Sequence, residues 1–405
     1  MLPGDGLGSS SAAGAYHDRA RAPRETVALM RPWFAELGIT RVARQTGLDR
    51  LGIPCYAAIR PNSCSIATNQ GKGVDDEAAC ASAVMEAVEY AVAERPHAAS
   101  VVGSVADWRD AGRATWNPRK FLPIGETVDE RAALHWLAGR RLGQLAEEVL
   151  VPFDAAAMTS ARRDLPSICQ STNGLAAGND ADEADFHAVC ELVERDAATL
   201  WSLRTAEERR GRCVSPESFG DPLISELCER FARADLALRL FDQTTDLGVP
   251  TILAVSGPRS VGFSRHFDVA TGAGTHPHPA RAALRAITEA AQTRITSIAA
   301  ARDDVRPDLY RMDGAEEAFE LLALTGRQAS LTPARPVASG AGELLADLLG
   351  ALADAGISDL VSVPLGGARY GIAVTHVVSA QLEDRGPNAN WRPGRRALDQ
   401  LAMAA

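Results

Sequence analysis

The fold is read first from NQGKGVDDEAACASAVMEAVEYAVAE, residues Asn69 to Glu94. From Ala78 to Ala93 this run is almost wholly apolar, and its strongly polar members are Ser82, Glu86 and Glu89. At about 100° per residue, positions i, i+4 and i+7 fall within an arc of about 60°. The spacing predicts one helix over 77–94, stopped by Pro96, that directs a hydroxyl and two carboxylates to a single point.

The same stripe recurs twice, roughly a hundred residues apart each time. A second long helix over 183–203 carries His187, Glu191 and Glu194, and a third over 279–301 carries Arg285, Glu289 and Gln292. Each follows a glycine-rich stretch that reads as a turn: Gly71-Lys72-Gly73, then Asn173-Gly174 to Gly178, then Gly272-Ala273-Gly274. Between them we expect a helix over 25–37 ended by Gly38, strands over 40–42, 55–60, 149–153 and 251–255, and helices over 143–148 and 222–239. A helix over 342–355 and strands over 359–363 and 370–378 follow. Such alternation predicts an α/β or mixed α+β sheet-and-helix architecture.

Carboxylates held in apolar surroundings stay ionised only beside a cation. Five of them on one site repel each other unless divalent metal sits among them. Oxygen donors without a Cys or His cage point to Mg²⁺, which typically shares its shell with substrate phosphates. Glycine-rich turns at helix N-termini would supply a phosphate cradle. Lys72 and Arg294 would neutralise phosphate charge, and the combined reading is a Mg·ATP site built from three helices. Plainer readings stand beside it. A Glu pair at i, i+3 is often a solvated helix face, Arg285 and Glu289 make an ordinary i, i+4 salt bridge, and Gly71-Lys72-Gly73 lacks P-loop spacing. His187 also fits a core histidine, and His276 and His278 a structural loop.

Composition excludes several classes. With 405 residues, 46% apolar and 23% charged, the chain is globular material able to bury a sizeable core. A net charge of −10 argues against a nucleic-acid or membrane-surface binder. No apolar run is long enough for a membrane span, and the Gly/Ser/Ala-rich start is no signal peptide. Seven cysteines (55, 64, 80, 169, 190, 213 and 228), never spaced C-x-x-C, read as reduced thiols in core space and a cytoplasmic setting. Only Lys72 and Lys120 are lysines among 42 basic residues, so each marks a place where an arginine fork does not fit.

At these motifs the sequence resembles the YcaO family. Asn69-Gln70-Gly71-Lys72-Gly73 with Ser82, Glu86 and Glu89 looks like the first nucleotide motif of that family. Asn173-Gly174-Leu175-Ala176-Ala177-Gly178, leading to Glu191-x-x-Glu194-Arg195-Asp196, looks like the second. Gly272-x-Gly274-x-His276-Pro277, then Arg285-Ala286-x-Thr288-Glu289-Ala290-x-Gln292-x-Arg294, looks like the third. The resemblance implies a YcaO domain over 25–385 between a flexible tail (1–24) and a C-terminal tail (386–405). It also implies an ATP- and Mg²⁺-dependent enzyme that activates a peptide backbone amide. On the same grounds Glu86, Glu89, Glu191, Glu194 and Glu289 would hold Mg²⁺. Lys72, Ser82, Asn173, Arg195, Arg285, Gln292 and Arg294 would contact nucleotide, joined by Arg19 (or Arg21 or Arg24) and Thr26, and His276 would be the catalytic base to test.

Two departures narrow the branch. The chain ends Arg395 to Ala405 without the proline-rich terminus of azoline-forming members, and residues 1–24 are too short for a leader-binding domain. Arg60-Pro61-Asn62-Ser63 resembles the branch that works with TfuA proteins, while Tyr90 stands where many members carry Arg. Thioamide formation in a ribosomally made peptide or protein, with a TfuA-like partner or sulfide donor, is thus the leading expectation. Azoline formation on Cys, Ser or Thr of a precursor is the alternative enzyme, and a nucleotide-binding accessory scaffold the alternative class. A homodimer is expected from the family alone.

Overall fold

The computed structural model describes residues 18–143, 147–159, 163–259, 266–311, 316–329, 331, 340–386 and 390–404. Three strand-helix units organise it: β1 (Thr68–Lys72) runs into α1 (Asp76–Glu94), β2 (Leu175–Gly178) into α2 (Ala181–Ser202), and β3 (Ala270–Thr275) into α3 (Pro279–Ala299). Each of the three strands lies at the edge of a different sheet. β1 flanks an antiparallel sheet completed by Cys55–Ile59 and Arg41–Arg44. β2 borders a seven-stranded sheet through Ala373–Val378, and β3 a four-stranded one through Thr251–Pro258.

Each helix folds back on its own strand and also touches the strand of the next unit: α1 on β2, α2 on β3, α3 on β1. The units therefore close a ring. The outer faces bury separate cores. Ala83, Val84, Ala87 and Val88 of α1 pack with Leu137, Val151 and Val363. Phe186, Val189 and Val193 of α2 meet Leu344, Leu348 and Leu352 of the helix Ala341–Asp354, and Ala283, Ile287 and Ala290 of α3 meet Ile224, Leu227 and Phe231 of the helix Pro222–Arg233.

The glycines read as turns lie largely in the strands, and close packing is their physical reason. A Cβ on Gly71 would stand 2.0 Å from Ala83 N, one on Gly178 2.4 Å from Ala184 N, and one on Gly274 2.1 Å from Ala282 O. No side chain fits where helix backbone presses this closely on strand backbone. The N-termini of α1 and α2 are no phosphate cradles either. Asp75 accepts the Ala78 N–H at 2.8 Å and Asp180 that of Glu183 at 2.9 Å, so carboxylates already occupy the positive ends of α1 and α2.

Other expectations shift in detail. The helix over 25–37 is an α-helix from Pro23 to Met30 continued by a short 3-10 turn. The helix starting at Pro222 stops at Arg233, where Asp235 turns left-handed (φ 59°) and Leu236–Asp242 becomes a strand. Of the helix over 143–148, residues 144–146 lie outside the described residues and Glu148 opens the strand Glu148–Pro152. Within the supposed N-terminal tail, residues 1–17 lie outside the described residues, but Asp18 to Pro23 pack on the molecule. The supposed C-terminal tail ends in a helix, Arg395–Ala404, whose Arg396 spans Asp196 of α2 at 2.9 Å and Asp246 at 2.7 Å. Of the thiols, Cys55, Cys190 and Cys213 are buried as expected, whereas Cys64 is exposed.

Candidate active site

Inside the ring the polar stripes face one another across two adjoining cavities of about 280 and 560 Å³. Equivalent helix positions line equivalent parts of them. Ala78, Glu183 and Arg281 line the smaller cavity, Ser82 and Arg285 stand where the two meet, and His187 lines the larger one. One turn further, Glu86, Glu191 and Glu289 line the larger cavity, followed by Glu89, Glu194 and Gln292. Three helices thus place three glutamates on a single tier.

Four of the five carboxylates have distinct anchors. Glu86 accepts the Gln70 N–H of β1 at 3.1 Å, Glu89 that of Ala177 in β2 at 3.0 Å, and Glu191 that of Gly174 at 3.4 Å. Lys72 donates to Glu289 at 2.7 Å, and Arg195 to Glu191 at 3.3 Å. Burial pushes the Glu86 carboxyl up to about 7, with Arg302 and then Lys72 as the main opposing charges. Glu89 rises well above the usual range through burial and its neighbours Glu191 and Glu86. Burial raises Glu191 and Glu194 as well. At Glu289 burial is outweighed by Lys72 and Arg195, which hold it below the ordinary value.

Among the described residues, no three His, Cys, Asp or Glu side chains stand close enough together to hold a metal as they are. The carboxylates are instead turned onto backbone amides and Lys72. Their chemistry nevertheless fits a hard divalent cation: oxygen donors only, several with suppressed acidity that a cation would restore.

The remaining site residues divide. Lys72, Ser82, Arg195, Arg285, Gln292, Arg19 and Thr26 all line one cavity or both. Arg19 donates to Glu183 at 2.9 Å, and Thr26 donates to Asn179 Oδ1 at 2.7 Å. Three expectations are corrected. Arg294 lines neither cavity and faces Asp49 at 3.7 Å, because it lies about 180° around the helix from Arg285. Asn173 also lies outside both linings, with its Oδ1 buried and unpartnered. His276 is 2% exposed beneath the site. Its Nδ1 accepts the His278 N–H at 2.9 Å, and its Nε2 faces Asp18 at 3.4 Å, so neither nitrogen addresses the cavities. Burial lowers its pKa, with Asp18 opposing.

Sequence reasoning missed Glu183, Arg281 and Arg302. The first two continue the stripes by one more turn, at i−4 from His187 and Arg285, so the signal was present. Arg302 follows α3 in a loop and carried none.

Comparison with known proteins settles the family. The model described as YcaO cyclodehydratase, ATP- and Mg²⁺-binding, matches residues 70–383. The chain belongs to the YcaO family. As a YcaO protein it is an ATP- and Mg²⁺-binding enzyme. It is 38% identical over 414 aligned positions, covering 100% of this chain and 97% of the relative, to an uncharacterized protein in the tfuA 3′ region of Rhizobium leguminosarum bv. trifolii. The YcaO of Methanopyrus kandleri bound with AMPPCP and Mg²⁺ superposes with TM-score 0.70 at 23% identity, covering 91% of this chain and 93% of that one. A heterocyclase in complex with substrate and cofactor gives TM-score 0.78 at 19% identity, covering 95% of this chain; this YcaO chain spans 56% of that heterocyclase. At such identities the two structures speak for the fold. Among the described residues no helix is long and apolar enough to cross a membrane.

Proposed function

We propose that this YcaO protein uses Mg·ATP and sulfide to convert a peptide backbone amide to a thioamide, together with a TfuA-like partner. The observation that carries the amide-activation reading is the tier Glu86, Glu191 and Glu289 beside Lys72, Arg195 and Arg285. Such a shaft suits phosphoryl transfer, where positioning and charge do most of the work. The TfuA branch is supported by the relative in the tfuA 3′ region.

Glu86, Glu89, Glu191, Glu194 and Glu289 would hold Mg²⁺, with Glu86, Glu89 and Glu191 giving up their bonds to backbone amides and Glu289 its bond to Lys72. When bound, Mg²⁺ supplies neutralisation of the phosphoryl charge. Lys72, Arg195 and Arg285 offer N–H donors to phosphate oxygens. Arg19, Thr26, Asn179 and Glu183 line the smaller cavity, which suits the nucleoside. In the reaction, hydrosulfide adds to the amide carbon, and the resulting oxyanion takes the γ-phosphoryl of ATP with release of ADP. Inorganic phosphate then departs with the original oxygen as the added sulfur gives up its proton, leaving C=S.

Incubation of the protein with Mg·ATP, sulfide, the TfuA-like protein and a peptide encoded beside it tests the proposal by mass spectrometry. A gain of about 16 Da per site supports thioamidation, while a loss of about 18 Da marks azoline formation, the reading favoured by the likeness to a heterocyclase. An unchanged peptide with unconsumed ATP overturns both.

A further inference from the structure

Beyond the three motifs, the wall of the larger cavity is completed by the segment that follows α3. Ala300 ends that helix in a left-handed conformation, φ 48°, which a Cβ disfavours and which persists only where surroundings impose it. Here they do. Thr68 Oγ1 donates to Ala301 O at 2.7 Å, Ala67 N–H donates to Asp303 at 2.7 Å, and Tyr310 O–H donates to Ser297 O at 2.6 Å. The turn pinned in this way brings Arg302 into the cavity wall together with Glu86.

Arg302 is already oriented. Asp304 accepts from its Nε at 3.0 Å and from its Nη2 at 2.7 Å, leaving Nη1 outside that clamp, and the side chain is 22% exposed. The two cavities share Arg19, Lys72, Ser82 and Arg285, whereas Arg302 and Glu86 belong to the larger one alone. From Ser82 to Glu86 is one helical turn, about 6 Å along the axis. A nucleotide with its nucleoside beside Glu183 and its first phosphates at Lys72 and Arg285 therefore ends near Glu86 and Arg302.

We propose that Arg302 binds the terminal phosphate of the nucleotide. A fixed guanidinium fork suits this task better than a flexible ammonium. The inference rests on the nucleotide reading given above and adds to it a residue outside the three motifs, together with the direction in which ATP lies.

Calorimetric titration of Mg²⁺ with AMPPCP and, separately, with ADP tests this on the wild type, Arg302→Gln, Arg302→Lys and Asp304→Asn. Arg302→Gln should weaken AMPPCP about tenfold or more and leave ADP within about twofold, since the variant gives up a charge-assisted hydrogen bond to a phosphate that ADP lacks. Arg302→Lys should recover part of the affinity, and Asp304→Asn should show a smaller weakening of the same kind. Equal weakening of both ligands would assign Arg302 a structural role and overturn the proposal, as would no weakening at all. A wild type that binds neither ligand would instead sink the nucleotide reading itself.

Discussion

Lys72 Nζ lies 2.7 Å from Glu289 Oε2, although 217 residues of chain separate them. This pair ties β1 to α3 within the cavity and keeps Glu289 ionised while its neighbours are pushed toward the neutral form. Lysine suits the position because a single ammonium can leave a carboxylate for a phosphate without the reorientation that a bidentate fork requires.

Lys72→Met should therefore weaken ATP binding about tenfold or more, because it removes a charge-assisted hydrogen bond to phosphate. It should also raise the proton affinity of Glu289. Titration with an ATP analogue at pH 6 and pH 8 checks both effects, the second as a larger difference between the two pH values than in wild type.

Glu86 sets a pH dependence. Its pKa is raised to about 7 in the folded, metal-free protein. A raised acid contributes stability that is fully present below its unfolded value and is lost as pH rises through the folded one. Thermal unfolding without metal should thus show falling stability from about pH 4.5 to 7. Since Mg²⁺ needs the ionised form, its affinity should rise over the same window and level off above it. Glu86→Gln should flatten this component of both profiles.

Glu86→Gln and Glu191→Gln keep an oxygen for the N–H groups of Gln70 and Gly174 while removing the charge a cation needs. ATP turnover should fall at least about 100-fold in each, with the unfolding midpoint unchanged or raised. Full turnover in both variants contradicts the Mg²⁺ assignment.

Gly71→Ala and Gly274→Ala separate packing from phosphate binding. A new Cβ meets helix backbone at 2.0 and 2.1 Å, so each should cost about 1–3 kcal/mol or more of stability in denaturant unfolding. Normal stability with weakened nucleotide binding would restore the cradle reading.

Arg396→Ala leaves Asp196 fully buried without its guanidinium. Removing one partner from such a pair costs about 3–5 kcal/mol, and unfolding in denaturant should show it. The double variant Arg396→Met, Asp196→Leu should recover much of that stability.

The three helices and their stripes were legible because a period of 3.6 residues writes itself into the sequence. Most of the residues expected to hold nucleotide or metal meet at the cavities because they share those stripes, or, like Lys72, stand just before one. Arg294 failed a test the helical wheel itself offered, since it lies opposite Arg285. Other misreadings have a different cause. Whether Gly71 is a turn or a packing position depends on Ala83, twelve residues on, and nothing local distinguishes them. His276 was placed by its motif, but its burial under Asp18 and Phe186 is decided by chain that lies far away. Leu236–Asp242 reads as easily as a helix continuation until its pairing with Thr251–Pro258 is known.

The closed ring of strand-helix units bears on how the protein is made. No one unit holds a complete tier, and α3 begins only at Pro279. A nascent chain lacking that last third has two glutamates of the tier and no Lys72–Glu289 bond, so it has no ATPase site to misfire. Pairings this distant in sequence also form late in folding. The ability to bind nucleotide would then report that synthesis has reached the third unit and that all three have docked.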